Sequence, residues 1–108
     1  MGSAPRPALA RDPVKLDPKH YKVELETDRY RIVRISYGPK EKSQMHQHLP
    51  GVAVMLTDSD LKFTYPDGRT EEFHKKAGEF LAAEEPWEHS PENLANERFE
   101  ALIIELKD

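Results

Sequence analysis

The chain has 108 residues, a formal net charge of -4 and no cysteine. It therefore amounts to one domain, lacks the basic face of a nucleic-acid binder, and can form neither a disulfide nor a thiolate metal site. No apolar run approaches the roughly 18 residues that a membrane-spanning helix needs.

In chain order, Met1-Gly2-Ser3 is not followed by a positive-then-apolar export pattern. Ala4 to Pro18 carries Pro5, Pro7, Pro13 and Pro18 among small and charged residues, the composition of an extended or mobile lead-in. The same composition suits the region behind a removed export signal, so both cytoplasm and periplasm stay open as compartments. Residues 1–18 are assigned to a Pro-rich flexible segment and 19–108 to the folded domain.

From Tyr21 the pattern has a period of two. Tyr21, Val23 and Leu25 alternate with Lys22, Glu24 and Glu26, and a second alternating run extends from Tyr30 to Tyr37, before Gly38-Pro39. Gly51 to Thr57 is a short apolar run closed by Asp58-Ser59-Asp60, which predicts a buried strand and a turn. Leu61, Phe63 and Tyr65 lead into Pro66-Asp67-Gly68-Arg69, and Thr70 to His74 leads out. Asp-Gly between two such segments predicts a hairpin, because the turn needs a positive φ that glycine supplies. Gly78 to Ala82 predicts a further strand, Ser90 to Arg98 has room for one helical turn, and Phe99 to Leu106 closes the chain as a strand. About eight short strands separated by turn signals predict an all-β sandwich or barrel. A domain of this size buries only about 65% of its unfolded surface. The thin core and the apolar stretch Leu102 to Leu106 make an isologous homodimer the expected assembly.

Five histidines occur. His46 and His48, within Ser43-Gln44-Met45-His46-Gln47-His48, are two apart and so share one face of a strand. Two adjacent imidazoles can chelate a divalent transition metal such as Fe, Zn, Cu, Ni or Mn. His20 and His74 have no such neighbour and are expected on the surface. Tyr37, Met45, Met55, Phe63 and Phe80 are expected to pack, and Trp87, two residues before His89, to wall any site there.

The two halves of the chain resemble the paired motifs of the cupin superfamily. The first motif combines Gly, His-x-His and a later Glu, here Gly38, His46 and His48. The second combines Gly, Pro-x-Gly, His and Asn, here Gly78, Glu84 in the Pro place, Pro86 in the second Gly place, His89 and Asn93. In particular, Asp17 to Val23 (D-P-K-H-Y-K-V) and Tyr65 to Gly68 (Y-P-D-G) resemble a group of small bacterial cupins. The resemblance implies a single-domain double-stranded β-helix, or jelly-roll barrel, with metal ligands His46, His48 and His89. The glutamate of the first motif falls on Val52 or Ala53, so the implied site is reduced to three histidines. Some cupin dioxygenases work with three histidines on iron.

Glu85, Glu88 and Gln44 are the candidates for catalytic hydrogen bonding, proton acceptance or a fourth metal ligand. The implied partner is a small-molecule ligand or substrate. Two functional readings follow: a metal-dependent enzyme of dioxygenase-like type acting on a small oxygenated molecule, or a non-catalytic metal or small-molecule binder. A fold with an empty site, its histidines bonding one another, is a third.

Overall fold

The computed structural model describes residues 11–107. Its first element is the short helix α1 (Pro13–Leu16), started by Asp12, whose carboxylate accepts from the Val14 N–H at 3.0 Å while Pro13 takes the first helical position. Nine strands follow: β1 (Tyr21–Glu26), β2 (Tyr30–Tyr37), β3 (His46–His48), β4 (Gly51–Met55), β5 (Ser59–Thr64), β6 (Thr70–Lys75), β7 (Phe80–Ala83), β8 (Trp87–Asn93) and β9 (Phe99–Leu106). They form a five-stranded sheet in the order β1-β2-β9-β4-β7 and a four-stranded sheet in the order β3-β8-β5-β6. All pairings are antiparallel.

Alternation places the core between the sheets. Val33, Ile35 and Tyr37 of β2 point inward with Phe99, Ala101 and Ile103 of β9, against Leu61 and Phe63 of the other sheet. Strand β9 is more apolar than strict alternation predicts because β2 and β4 flank it on both sides. Its outward Leu102 and Ile104 are consequently half-covered by neighbouring rows.

Glycine is required at Gly68 by its turn and at Gly51 by close packing. Gly68 has φ +89° in the Tyr65–Gly68 turn, closed by its N–H on the Tyr65 carbonyl at 2.9 Å. Gly51 lets β4 approach β9: a Cβ there would sit 1.9 Å from the Ile104 carbonyl oxygen. Gly51→Ala must push two core strands apart, and we expect a stability loss of about 3 kcal/mol, the upper range for overpacking. Urea unfolding measures it, and an unchanged midpoint would show that the strands can separate at no cost.

Five expectations are corrected, the first of them Phe80, which was expected to pack but is 60% exposed on β7. Ser90 to Asn93 continues β8 instead of forming a helical turn, because its residues alternate in and out and pair with β5. Asn93 then builds the following turn. Its amide donates to the Gly38 and Glu97 carbonyls (3.0 and 2.8 Å), and its oxygen accepts from the Ala95 N–H at 3.1 Å. Gly78, at φ +90°, lies in the turn before β7 and does not begin it. Of the Pro-rich lead-in, residues 4–10 lie outside the described residues, whereas Arg11 onward is docked: the Arg11 guanidinium donates to the Met45 carbonyl and the Gln47 N–H to the Arg11 carbonyl. His20 is buried, with its ring stacked on Tyr37 at 4.2 Å. His74 is exposed, as expected, beside Asp60.

Candidate metal centre

Strand β3 presents His46 and His48 to the interior, and its antiparallel register with β8 sets His89 directly opposite His46. Two residues on one strand and one on its partner thus bring three imidazoles together without any long loop. Their ring centroids are 4.9, 4.9 and 5.0 Å apart, close to an equilateral triangle, with rings nearly perpendicular to one another. One nitrogen from each ring lies within 4.8 Å of the other two. All three residues are buried, at 0%, 1% and 2% exposure.

The surroundings are aromatic. Trp87 stacks on His48 at 4.6 Å, Phe63 meets His89 edge-on at 4.3 Å, and Tyr21 meets His46 edge-on at 4.9 Å. Trp87 walls the site as its sequence position suggested. Beside the cluster is a partly open pocket of about 30 Å³, lined by His48, His89, Met55, Phe63, Trp87 and Phe99 among others. A single water needs about 10–15 Å³ by this measure, so the space suits about two water-sized groups.

Burial sets the protonation of the rings. His46 is pushed down to about 3, first by desolvation and then by the adjacent His48. His89 is driven well below the ordinary imidazole value by the same causes. At neutral pH both are uncharged and offer lone pairs. Tyr21, whose hydroxyl lies 3.2 Å from His46 Nε2 and 2.6 Å from the Tyr37 hydroxyl, is held protonated by burial.

One participant escaped the sequence reading. Glu105, on β9, is completely buried; one oxygen accepts from His48 Nδ1 at 2.9 Å, while the other takes the Arg31 guanidinium at 2.5 and 2.9 Å. A carboxylate accepting at Nδ1 holds a proton there, so that any lone pair His48 offers is on Nε2. The available signal was phase. Arg31 falls in step with inward Val33, Ile35 and Tyr37, and Glu105 with inward Phe99, Ala101 and Ile103. The two charges are also register partners.

No family model matches this sequence, and no curated protein does. Solved structures do. A cupin domain from Bordetella pertussis Tohama I superposes with a TM-score of 0.75 at 21% identity, covering 99% of this chain and 100% of that one. The chain has the cupin fold. A cupin superfamily protein from Desulfitobacterium hafniense gives 0.61 at 18% identity, over 82% and 76% of the two chains. The Cnp3 cupin domain of Schizosaccharomyces pombe gives 0.62 at 10% identity, over 82% and 60%.

Within this cupin barrel the sequence-derived candidates separate cleanly. His46, His48 and His89 converge. Glu88, Glu85 and Gln44 do not join them. Glu88 pairs with Gln47 across β3 and β8, on the opposite face of the sheet from His89, with its carboxylate 3.8 Å from Arg11. Glu85 is exposed in the loop before β8. Gln44 precedes β3, is exposed, and donates to the Leu16 carbonyl at 3.0 Å. Extrapolating the strand backward from His46 placed Gln44 on the histidine face, but pairing with β8 begins only at His46. Ala53 faces the interior without a donor atom, and Val52 faces outward.

The cluster fits a metal ion. Both ring nitrogens of His89 are buried with no hydrogen-bond partner among the described residues, a cost that a bound cation would remove at one nitrogen. The donor set, three buried imidazoles with carboxylate support on one of them, suits a divalent transition ion.

Proposed function

We propose that this cupin binds a divalent transition metal (Fe, Zn, Cu, Ni or Mn) through His46, His48 and His89 and that the centre holds a small oxygenated organic ligand. The observation that carries the proposal is a triangle of three buried imidazoles, one nitrogen of each within 4.8 Å of the others, in which His89 has no hydrogen-bond partner among the described residues. Bound there, the metal would act as a Lewis acid or redox centre with positions left for ligand. The chain's own residues do the rest. Glu105 accepts from His48 Nδ1, Tyr21 offers a hydroxyl beside His46, and Trp87 and Phe63 pack against the His48 and His89 rings.

Two finer readings remain distinct. Dioxygenase-like catalysis is supported by a donor set of only three side chains, which leaves room at a metal for both substrate and O₂. A non-catalytic binder is favoured by the acid–base chemistry, because the carboxylate in contact with the cluster, Glu105, is already engaged by Arg31. On that ground the binder is the better-supported reading. A homodimer belongs to the same proposal, supported by exposed Val52, Phe80 and Leu106 on the outer face of the five-stranded sheet.

Metal content decides the centre. The purified chain should take up about one Zn(II) or Fe(II) per molecule, and His89→Ala should weaken binding by at least 100-fold. Uptake near zero, or equal in the variant, would remove the proposal. Oxygen consumption by the Fe(II)-loaded chain with small diketones or catechol-like compounds would move the conclusion to the enzyme.

A further inference from the structure

The helix α1 is only four residues long, yet each of its ends meets a hydrogen-bond path that runs to a different histidine of β3. At the leading end, both oxygens of Asp12 take the Arg31 guanidinium, at 3.0 and 3.1 Å. Arg31 in turn grips Glu105, and Glu105 accepts from His48 Nδ1. At the trailing end, Asp17 caps the helix and its carboxylate accepts from the Ser43 hydroxyl. Ser43 Oγ lies 3.3 Å from His46 Nδ1. A serine hydroxyl that donates to a carboxylate has only its lone pairs left for a ring nitrogen, so His46 must present Nδ1–H to it.

The two paths therefore impose the same tautomer. In each ring the proton is on Nδ1 and the lone pair is on Nε2. The contact on the far side of His46 agrees, because the Tyr21 hydroxyl near Nε2 can donate to that lone pair. His89 lies on β8, is reached by neither path, and has no partner on either nitrogen. Asp17 is itself held: His20 Nδ1 is 2.6 Å from it, and His20 Nε2 is 3.0 Å from Glu41.

We propose that α1 is a positioning strap for the centre, with Asp17 acting through Ser43 on His46 and Asp12 acting through Arg31 and Glu105 on His48, so that both imidazoles of β3 are locked with the proton on Nδ1 and the lone pair on Nε2. Its value for binding rests on the metal-centre reading; the tautomer lock itself does not. Asp12, Asp17, Ser43, Arg31 and Glu105 are positioning residues, since none reaches the space between the rings.

The test uses the whole chain, free of metal, with ¹⁵N-labelled histidine at neutral pH. In the wild type, His46 and His48 should each show a protonated Nδ1 and an unprotonated Nε2 in their ¹⁵N shifts. Ser43→Ala should bring a mixed population at His46 and leave His48 unchanged. Asp12→Ala should loosen His48 and leave His46 unchanged. Zn(II) titration of the same variants should show affinity reduced by about 10-fold or more, the range known for partners behind a metal ligand. Wild-type shifts retained at His46 in Ser43→Ala and at His48 in Asp12→Ala would overturn the proposal, as would the opposite tautomer in the wild type. Should either alanine variant fail to fold, Ser43→Cys and Asp12→Asn give the same readout with smaller changes. If the wild type takes up no Zn(II), the metal reading fails while the shifts still decide the strap.

Discussion

Glu105→Ala is expected to lower the folding free energy by about 3–5 kcal/mol, the cost of removing one partner from a buried ion pair. Glu105 is fully buried and touches two groups that depend on it. Without it, Arg31 keeps Asp12 but loses its partner on β9, and the Nδ1–H of His48 has no acceptor. Arg31→Ala should cost a similar amount, because it leaves the Glu105 carboxylate buried without its guanidinium partner. The pair acts as a unit, so the double variant Arg31→Ala/Glu105→Ala should lose clearly less than the sum of the single losses. Urea unfolding of the three variants measures the coupling. Additive losses would mean that the 2.5 Å contact contributes nothing of its own.

Acidification is the second large effect. In the unfolded chain the histidines titrate near 6.5, whereas in the folded, metal-free chain His46 is held down to about 3 and His89 well below its ordinary value. Between these limits the unfolded state binds more protons than the folded one, so stability rises with pH and falls on acidification. The contribution is complete above about pH 6.5 and is lost progressively toward about pH 3. Two such rings give a slope of up to about 2.7 kcal/mol per pH unit. Asp12, drawn below its usual value by Arg31 and the Val14 N–H against the opposing effect of burial, adds a loss of the same sign at the acid end. Stability measured from pH 7 to pH 4 in metal-free buffer should therefore fall steeply, and His89→Gln should remove about half of the slope. A flat profile in the wild type would mean that the rings are not buried as neutral groups.

Much of this was legible in the chain itself, and the reasons can be named. Strands β2 and β5 announce themselves by alternation because each has one face on the core, and β4 and β9 as apolar runs. Strand β1 alternates too, but of its apolar residues only Tyr21 is buried, while Val23 and Leu25 are exposed. The Asp67-Gly68 turn is equally plain, since only glycine takes its φ without strain. His46 and His48 were visible as a pair because a strand puts alternate residues on one face, and His89 through the motif resemblance. Glu85, Glu88 and Gln44 stand apart from the histidines because nearness in sequence to a ligand fixes neither the sheet face nor the strand boundary: Glu88 takes the opposite face, and Glu85 and Gln44 lie outside β8 and β3. His20 was misjudged because its partners Asp17 and Glu41 come from both sides of β1 and β2, and only folding brings them together.

Local pattern by itself thus determined that this protein is an all-β barrel with a histidine pair on one strand face, because the period of two belongs to each strand separately. Three matters were decided only by the tertiary structure. Register across β3 and β8 set His89 opposite His46. Register across β2 and β9 buried Glu105 against Arg31 and turned it onto His48. The docking of α1 joined Asp12 and Asp17 to those same rings. Each depends on residues from separate strands arriving at one place, a property of pairing that no single segment contains.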